Sequence, residues 1–525
     1  MKALNWAPLV LTIALVAMAR SAYGTQPPDV VKSDSNQNTA MGSNALRSLT
    51  TGMHNTASGW DTLYYNTTGN NNSASGYGAL AFNTGSSNTA SGSSALYHNT
   101  TGNGNAAFGY QALFHNTTGS NNTASGDGAL AFNTGSYNTA SGTAALFHNT
   151  TGNGNAAFGY KALFHNTTGT GNSASGSGAL ASNDAGIQNT ASGNNALNSN
   201  TSGNDNTAAG YNALAANTTG NANTASGFNA LAINSTGTNN TASGANALLS
   251  NTTGNDNTAS GALTLYINST GNGNTASGFS ALSSNTTGDD NTAAGYEALF
   301  LNTEGIDNTA SGVNALYNNT TGSSNIAAGY KAGFNLTTGS NNIDIGNEGT
   351  APDSNTIRIG TAQTKTFIAG INGISVSGSA VMVSSTGQLG VVVSSERFKT
   401  AIAPMGSNTK KLGQLRPVTF HLKTDPHGAL QYGLIAEEVA RVFPDLVIRD
   451  QEGRIDGVRY DELAPMLLNE VQQQRQVMAA QAAEIRQLKQ QQNQLVTHAE
   501  LNNLKQELQA AFAKPQSNGE LVAQR

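Results

Sequence analysis

The sequence predicts a mainly β protein: a parallel β-solenoid or β-roll, followed by a small α/β module and a C-terminal coiled coil. First, a small-residue–glycine step recurs nineteen times at intervals of 17 residues, two of them shortened to 16. Second, only 10% of the 525 residues are charged, against about 25% in an average globular protein. Third, residues 36–347 carry 3 basic and 11 acidic residues, whereas the rest of the chain carries 21 and 19. The repeat region is therefore sparsely charged and acidic, whereas the rest of the chain carries most of the charge in near balance.

Composition also excludes several classes of function. The chain has no cysteine, which excludes disulfide scaffolds, thiol catalysis and cysteine-ligated metals. Its net charge of -6 argues against a protein that binds nucleic acid by neutralising phosphates. We expect no nucleic-acid partner, no cofactor and no metal.

The N-terminus predicts export to the extracellular space or the cell surface. Residues 1–24 form a predicted signal peptide, with Lys2, a mostly apolar run and Ala22-Tyr23-Gly24 as a cleavage site. A buried helix or a membrane anchor is the alternative. No later segment approaches 18 apolar residues, so no membrane span is expected in the mature chain. A linker over 25–36 leads to the repeats.

Residues 37–347 are the predicted solenoid, with the repeat N-T-A-S-G-x-x-A-L-x-x-N-T-T-G-x-x. Seventeen residues are too few for a helical hairpin but enough for one solenoid turn, or rung, with two short strands and two turns. Alanine between polar neighbours predicts a strand with one buried face, and Asn-Thr-Thr-Gly predicts a turn. Stacked rungs would align Asn and Thr into hydrogen-bonded ladders.

Each rung has a core of only two alanines and one leucine, such as Leu63. At about 25 cal/mol per Å² of buried apolar surface, one rung cannot offset the ordering entropy of its own chain. Neighbouring rungs must contribute, and we expect neighbouring chains to do so too. The repeats therefore predict oligomerisation.

Some repeat positions have a binding alternative beside the structural one. Histidines recur at one position, and aromatics follow the repeat glycine. We expect both sets to pack rather than to ligate zinc or bind carbohydrate. These sets are His98, His115, His148 and His165, and Tyr77, Tyr110, Tyr160, Tyr211, Phe228, Phe279, Tyr296 and Tyr330.

The repeats resemble the heads of trimeric autotransporter adhesins, whose N-x-A-x-G-x-x-A repeats wind a β-roll in each of three chains. The matching elements are Asn55-Thr56-Ala57-Ser58-Gly59 and Ala79-Leu80. The period here is longer, and Ser or Ala stands where those heads carry Ile or Val. The resemblance implies the shape more than the adhesive role.

Residues 348–393 are a predicted β-rich connector, and residues 394–470 a predicted module. The run Ser394-Ser395-Glu396-Arg397-Phe398-Lys399 resembles the S-D-x-R-[LF]-K start of the peptidase S74 family, the intramolecular chaperone of phage endosialidases and tail fibres. The resemblance continues through Leu415–Phe420, Tyr432–Val439, Val442–Val447 and Val458–Glu470. Ser395 replaces the usual Asp.

The motif predicts an autocatalytic serine endopeptidase with a single turnover. Serine needs a base, and a lysine can act as one only where burial favours its neutral form. Ser394 and Lys399 are the candidate catalytic pair. The resemblance implies that Ser394 follows the scissile bond, Val393-Ser394, and that cleavage releases the module. The repeats show no second enzyme.

The tail predicts a trimeric coiled coil over 471–513 and a flexible tail over 514–525. Apolar residues and glutamines follow 3-4 spacing from Val471 to Leu495. A capping pattern at Thr497 predicts a break and a second short helix. A monomeric helix packed on the module is the alternative.

Together these features predict an exported homotrimeric fibre, adhesin-like, with a possible cell-surface glycan or host receptor as partner. One alternative is a tail-spike-like fibre that binds or degrades glycans. Another is an ice- or surface-binding solenoid, which would require rows of threonine on one face.

Overall fold

The computed structural model describes residues 32–369, 380–384, 386–450 and 452–513, without the side chain of Val496. The predicted signal peptide and tail, and most of the linker, lie outside these residues. The chain divides into two compact units, Met1–Thr366 and Phe367–Arg525.

The first unit is a β-solenoid of about nineteen rungs, which confirms the predicted fold class. A short strand β1 (Lys32–Ser33) pairs antiparallel with β2, and every later neighbour pairs in parallel. The remaining strands are β2 Thr39–Met41, β3 Thr56–Ser58, β4 Ser73–Ser75, β5 Thr89–Ser91, β6 Ala106–Phe108, β7 Thr123–Ser125, β8 Thr139–Ser141, β9 Ala156–Phe158, β10 Ser173–Ser175, β11 Thr190–Ser192, β12 Thr207–Ala209, β13 Thr224–Ser226, β14 Thr241–Ser243, β15 Thr258–Ser260, β16 Thr275–Ser277, β17 Thr292–Ala294, β18 Thr309–Ser311, β19 Ile326–Ala328, β20 Ile343–Ile345 and β21 Ile357–Ile359.

Each rung contains one three-residue strand rather than the two we expected. The central alanine of the strand is buried and its two neighbours face outward, as the alternation predicts. Turns replace the second expected strand, because two residues in the segment after the repeat glycine adopt positive φ. Leu63 (φ 51°) and Asp61 (φ 53°) are one such pair.

The repeat leucines are held in the left-handed region from Leu46 to Leu316. This conformation costs a non-glycine residue roughly 1–2 kcal/mol. The leucines from Leu63 onward are fully buried, and burying a leucine contributes about 1.5–3 kcal/mol. The apolar core therefore holds the strained turn in place.

Two columns of buried asparagine run along the stack, which confirms the expected ladders. In the column before the strand, Asn206 Nδ2 donates to Asn189 Oδ1 at 3.1 Å and to Gly220 O at 2.8 Å. The backbone N–H of Asn206 donates to the same Asn189 oxygen at 3.0 Å. Each such amide thereby bonds to the preceding rung, to the following rung and to its own turn.

The second column holds the asparagine of Asn-Thr-Thr-Gly. Asn217 Nδ2 donates to Asn200 Oδ1 at 2.8 Å and to Gly220 O at 3.0 Å. The next residue, threonine, adds a further inter-rung bond, such as Thr201 Oγ1 to Thr218 O at 3.0 Å. Polar turn residues therefore act as the interior of this protein.

Glycine after each strand is required by two constraints. Gly59 has φ +133°, and a Cβ there would lie 2.7 Å from the Gly76 carbonyl oxygen of the next rung. Any side chain at this position would both strain the backbone and separate the rungs. This explains the glycine step that marks every repeat.

The second unit begins with an antiparallel hairpin, β22 (Val381–Val383) and β23 (Leu389–Val391). Two further antiparallel pairs follow: β24 (Val418–Phe420) with β25 (Gln431–Gly433), and β26 (Val447–Arg449) with β27 (Ile455–Val458). The helix α1 (Ala436–Val442) packs on the second pair. Its core is small and comprises Val439, Leu446, Val447 and Val458. Short 3-10 turns cover Glu396–Phe398, Gly406–Gln414 and Pro444–Leu446.

The C-terminal helix α2 runs unbroken from Tyr460 to Phe512. The predicted break near Thr497 is therefore wrong. Thr497 Oγ1 accommodates the helix by donating to the carbonyl oxygens of Asn493 and Gln494, both at 2.9 Å. The predicted coiled coil over 471–513 falls within α2 and stays a prediction.

Replacing one ladder asparagine should open the stack locally. In Asn189→Ala, the Asn206 N–H and Nδ2 lose their acceptor and the Gly203 carbonyl loses a donor. We expect a loss of about 3 kcal/mol in the local opening free energy, since each buried unpaired group costs roughly 1–3 kcal/mol. Hydrogen exchange of β11 and β12 measures it.

The matched control is Asn194→Ala, an exposed asparagine of the same rung. We expect it to change exchange by less than about 0.5 kcal/mol. Equal exchange in the two variants would show that the ladder does not hold the rungs together.

Candidate functional site

Ser394 and Lys399 lie side by side in the second unit. Lys399 Nζ donates a hydrogen bond to Ser394 Oγ at 3.3 Å. The two residues are five apart in the chain, and no other side chain bonds to either within the described residues. The structure thus brings together the nucleophile and base that the sequence proposes.

A single 3-10 turn, Glu396–Phe398, creates this proximity. Ser395 precedes the turn in an extended conformation, and Lys399 leaves it extended. The Phe398 N–H donates to Ser395 O and the Lys399 N–H to Glu396 O, both at 3.0 Å. Reversing the chain over so few residues points the two side chains to the same side.

In this contact Lys399 is the donor, whereas catalysis needs it as the acceptor. An ammonium group can only donate, so the observed bond runs from nitrogen to oxygen. A general base must instead accept the hydroxyl proton, which requires a neutral amine. Ser394 and Lys399 are both exposed in the single chain. Any burial that favours the neutral amine must come from groups outside this chain's described contacts.

The segment before the predicted scissile bond, Val393-Ser394, is an apolar hairpin with an uncovered face. In β22 and β23, Val381 pairs with Val391 and Val383 pairs with Leu389, so the four side chains share one face. All four are more than half exposed, and Val393 is 54% exposed. An isolated two-stranded hairpin is only marginally stable in water, so we expect another surface to cover this apolar face.

Polar contacts fix the module's 3-10 turn against α2. Thr409 is buried, and its Oγ1 bonds to Glu470 Oε2 at 3.2 Å and accepts from Asn469 Nδ2 at 2.7 Å. Sequence reasoning missed this role of Thr409. A lone threonine carries no motif, and its partners lie some 60 residues away.

Two further contacts brace the module. Leu434 N–H donates to the Tyr460 hydroxyl at 2.7 Å, which ties β25 to the start of α2. Arg416 pairs bidentately with Glu438 at 2.7 and 3.2 Å. The Arg416 guanidinium lowers the pKa of the Glu438 carboxyl. This ion pair lies on the surface and orients α1 rather than adding much stability.

The repeat histidines stack on each other and on neighbouring rings. The rings of His98 and His115 lie 4.8 Å apart and 3° from parallel, and those of His148 and His165 lie 5.5 Å apart. Burial lowers the pKa of His98, and the nearby His115 lowers it further. These contacts favour packing as their role. Aromatics after the repeat glycine are exposed, and Tyr211 stacks on Phe228 at 5.5 Å.

The described residues offer neither a candidate metal site nor a helix that could span a membrane. No group of three or more His, Asp or Glu side chains there is arranged to hold a metal ion. None of the helices described is long and apolar enough to span a membrane.

Residues 394–448 match the model of the peptidase S74 family, described as the chaperone of endosialidase. No curated protein matched the chain. The match over these residues implies serine-type autocatalytic cleavage in general terms, and chaperones of this family act in trimeric fibres. A β-solenoid followed by this chaperone fits a tail-fibre or adhesin-like protein.

Proposed function

We propose that this chain is an exported fibre whose C-terminal module trimerises it and then cuts itself off between Val393 and Ser394. The contact between Lys399 Nζ and Ser394 Oγ at 3.3 Å, within a segment that matches the S74 family, is the main support. The β-solenoid would remain as the mature fibre.

The proposed reaction uses only groups of this chain and water. Lys399, neutral, accepts the proton of Ser394 Oγ as that oxygen attacks the Val393 carbonyl carbon. The C–N bond to Ser394 breaks, its nitrogen takes a proton, and an ester joins Val393 to the Ser394 oxygen. Water then hydrolyses the ester, which leaves a carboxylate at Val393 and a free amine and hydroxyl at Ser394.

Cleavage should require both side chains. Ser394→Ala removes the nucleophile and Lys399→Ala the base, so we expect each variant to stay at the intact mass. Lys399→Arg keeps the positive charge but cannot become a neutral base, and it too should stay intact. Intact-mass spectrometry of the purified chains distinguishes these outcomes.

The matched control is Lys410→Ala, an exposed lysine of the same module, which should leave cleavage unchanged. Splitting of Ser394→Ala between residues 393 and 394 would overturn the mechanism. An uncut wild type would do the same.

Exposed apolar surface supports the proposed trimer. Helix α2 is 53 residues long and presents Val471, Ile485 and Leu488 to solvent, each between 45 and 55% exposed. An isolated helix gains little from such a stripe, whereas three copies would bury it as a coiled-coil seam. The apolar face of the β22–β23 hairpin adds a second uncovered surface in the same unit.

Charging the seam should dissociate the trimer. We expect Ile485→Glu with Leu488→Glu to shift the full chain from three copies to one in light scattering, because six carboxylates cannot share an apolar seam. The control, Gln487→Glu with Gln490→Glu, adds the same charge on other faces of α2. A monomeric wild type contradicts the trimer, and so does a charged seam that leaves the mass unchanged.

Export and location follow from the predicted signal peptide at 1–24, and we propose the extracellular space or cell surface. A glycan or receptor on a cell surface is the proposed partner of the fibre. A glycan-degrading activity has no support in the repeats, since no carboxylate pair departs from the repeat pattern there as glycoside hydrolysis would need.

One observation favours a second function, adhesion to an ordered surface such as ice. The first strand residue is an exposed threonine in eight consecutive strands, in register from Thr190 to Thr309. Neighbours in this row are about 4.8 Å apart. In the described chain these hydroxyls bond to no protein group, unlike the turn threonines. A row of free hydroxyls at constant spacing suits a regular water lattice.

Ice recrystallisation assays test this second function. We expect the wild type to inhibit crystal growth and Thr241→Lys with Thr258→Lys to lose at least tenfold in potency. Thr236→Lys with Thr253→Lys places the same charges on exposed turns and should keep it. No inhibition by the wild type, or equal loss in both variants, would remove ice as the surface.

A further inference from the structure

Between Gly333 and Asp344, the C-terminal end of the solenoid departs from the repeat at three buried positions. Gly333 stands where other rungs have leucine, Leu336 replaces the turn asparagine, and Asp344 replaces the strand alanine. Leu336 and Asp344 are buried. A repeat that merely drifted would change exposed positions first, so three interior changes across two successive rungs point to a built feature.

The three changes fit one another. A Cβ at Gly333 would lie 2.8 Å from the Leu316 side chain and 3.4 Å from Asp344 Oδ2. A Cβ at Gly349 would lie 3.2 Å from the same oxygen. The two glycines therefore make the space that the Asp344 carboxyl occupies. Leu336 packs beside Gly349 and fills the core that Gly333 leaves.

The Asp344 carboxyl is almost fully buried and has no hydrogen-bond partner. Its residue is 1% exposed, and neither Oδ1 nor Oδ2 bonds to any described group. Asn319 Oδ1 is also unpaired, because Leu336 ends the second asparagine ladder. Within the described residues, the buried side-chain atoms that lack a hydrogen-bond partner are therefore these three oxygens, two from Asp344 and one from Asn319. A bare carboxylate costs far more free energy there than a neutral carboxyl does.

Two charged side chains face Asp344 from the next turn and strand. Arg358 occupies the paired position in β21, but its guanidinium binds Asp353 at 2.5 and 2.8 Å. Burial is the main cause that raises the pKa of Asp344, to about 6; the Asp353 charge raises it further and Arg358 partly opposes this. The Arg358 hydrogen bond lowers the pKa of Asp353 to about 2, so Asp353 stays ionised over the pH range in which Asp344 titrates.

We propose that Asp344 is a proton-operated latch at the C-terminal end of the solenoid. While the carboxyl is protonated, β20 and β21 stay docked on the stack. When the Asp344 carboxyl ionises, β20 and β21 open from the stack, which exposes the charge to water. The device would make the end of the fibre that leads to the connector sensitive to pH.

The direction of the pH effect follows from linkage. The opened chain titrates near the ordinary Asp pKa of 3.8 and the closed rung near about 6. The closed state is therefore most stable below pH 4 and loses stability as the pH rises to about 6. Above that the opening constant levels off, about 100-fold higher than in acid.

Hydrogen exchange of residues 343–360 in the full chain, corrected for intrinsic rates, measures this opening from about pH 4 to 7. We expect the wild-type opening constant to rise about tenfold per pH unit and then level off. Asp344→Asn keeps the shape without the charge, and Asp344→Ala restores the repeat residue. Both should give a flat profile. Asp307→Asn, an exposed carboxyl of the solenoid, should keep the wild-type rise.

A flat wild-type profile would overturn the latch, and so would a rise that persists in Asp344→Asn. Repeating the series with added NaCl or CaCl2 separates a proton from a cation. A rise abolished by either salt would show a cation site in place of the latch. An unchanged rise supports the latch.

Discussion

The hydrogen bond between asparagine amides of successive rungs is the interaction on which the solenoid depends. A primary amide carries two donors and an acceptor with two lone pairs, so it can bond above, below and to its own turn at once. Asn189 does so, with Asn172, Asn206 and Gly203 as partners. The bond requires a constant distance between rungs, and this requirement fixes much of the remaining sequence.

Several compositional features follow from that spacing. Rungs held this closely leave no room for a side chain after the strand, so glycine recurs there. The thin Ala/Leu core is filled by side chains whose size varies little from rung to rung. Charged residues are rare because the interior offers no place for them. The exception, Asp344, lies where the second asparagine column has already ended at Asn319.

The repeat period was sufficient to predict a solenoid rung, its buried alanines and the asparagine ladder, because those depend on spacing alone. It could not predict that Leu63 and its counterparts adopt positive φ, since leucine avoids that region unless burial compensates. This conformation removed the expected second strand. At Thr497 a capping pattern suggested a break, but the same hydroxyl bonds back to the preceding turn and the helix continues.

At the candidate site, the sequence predicted which residues meet but not their surroundings. Ser394 and Lys399 are five positions apart in the chain, and the 3-10 turn between them is short enough for the side chains to touch. Their exposure could not be read from the motif, because burial depends on what covers the module. In the proposed trimer, other copies of the chain would cover the exposed hairpin and the apolar stripe of α2.

Native mass spectrometry of the purified protein tests the central claim most directly, since it reports copy number and chain ends together. We expect three copies of the solenoid chain, each ending at Val393, and a separate fragment that begins at Ser394. A single uncut chain with no association would contradict it.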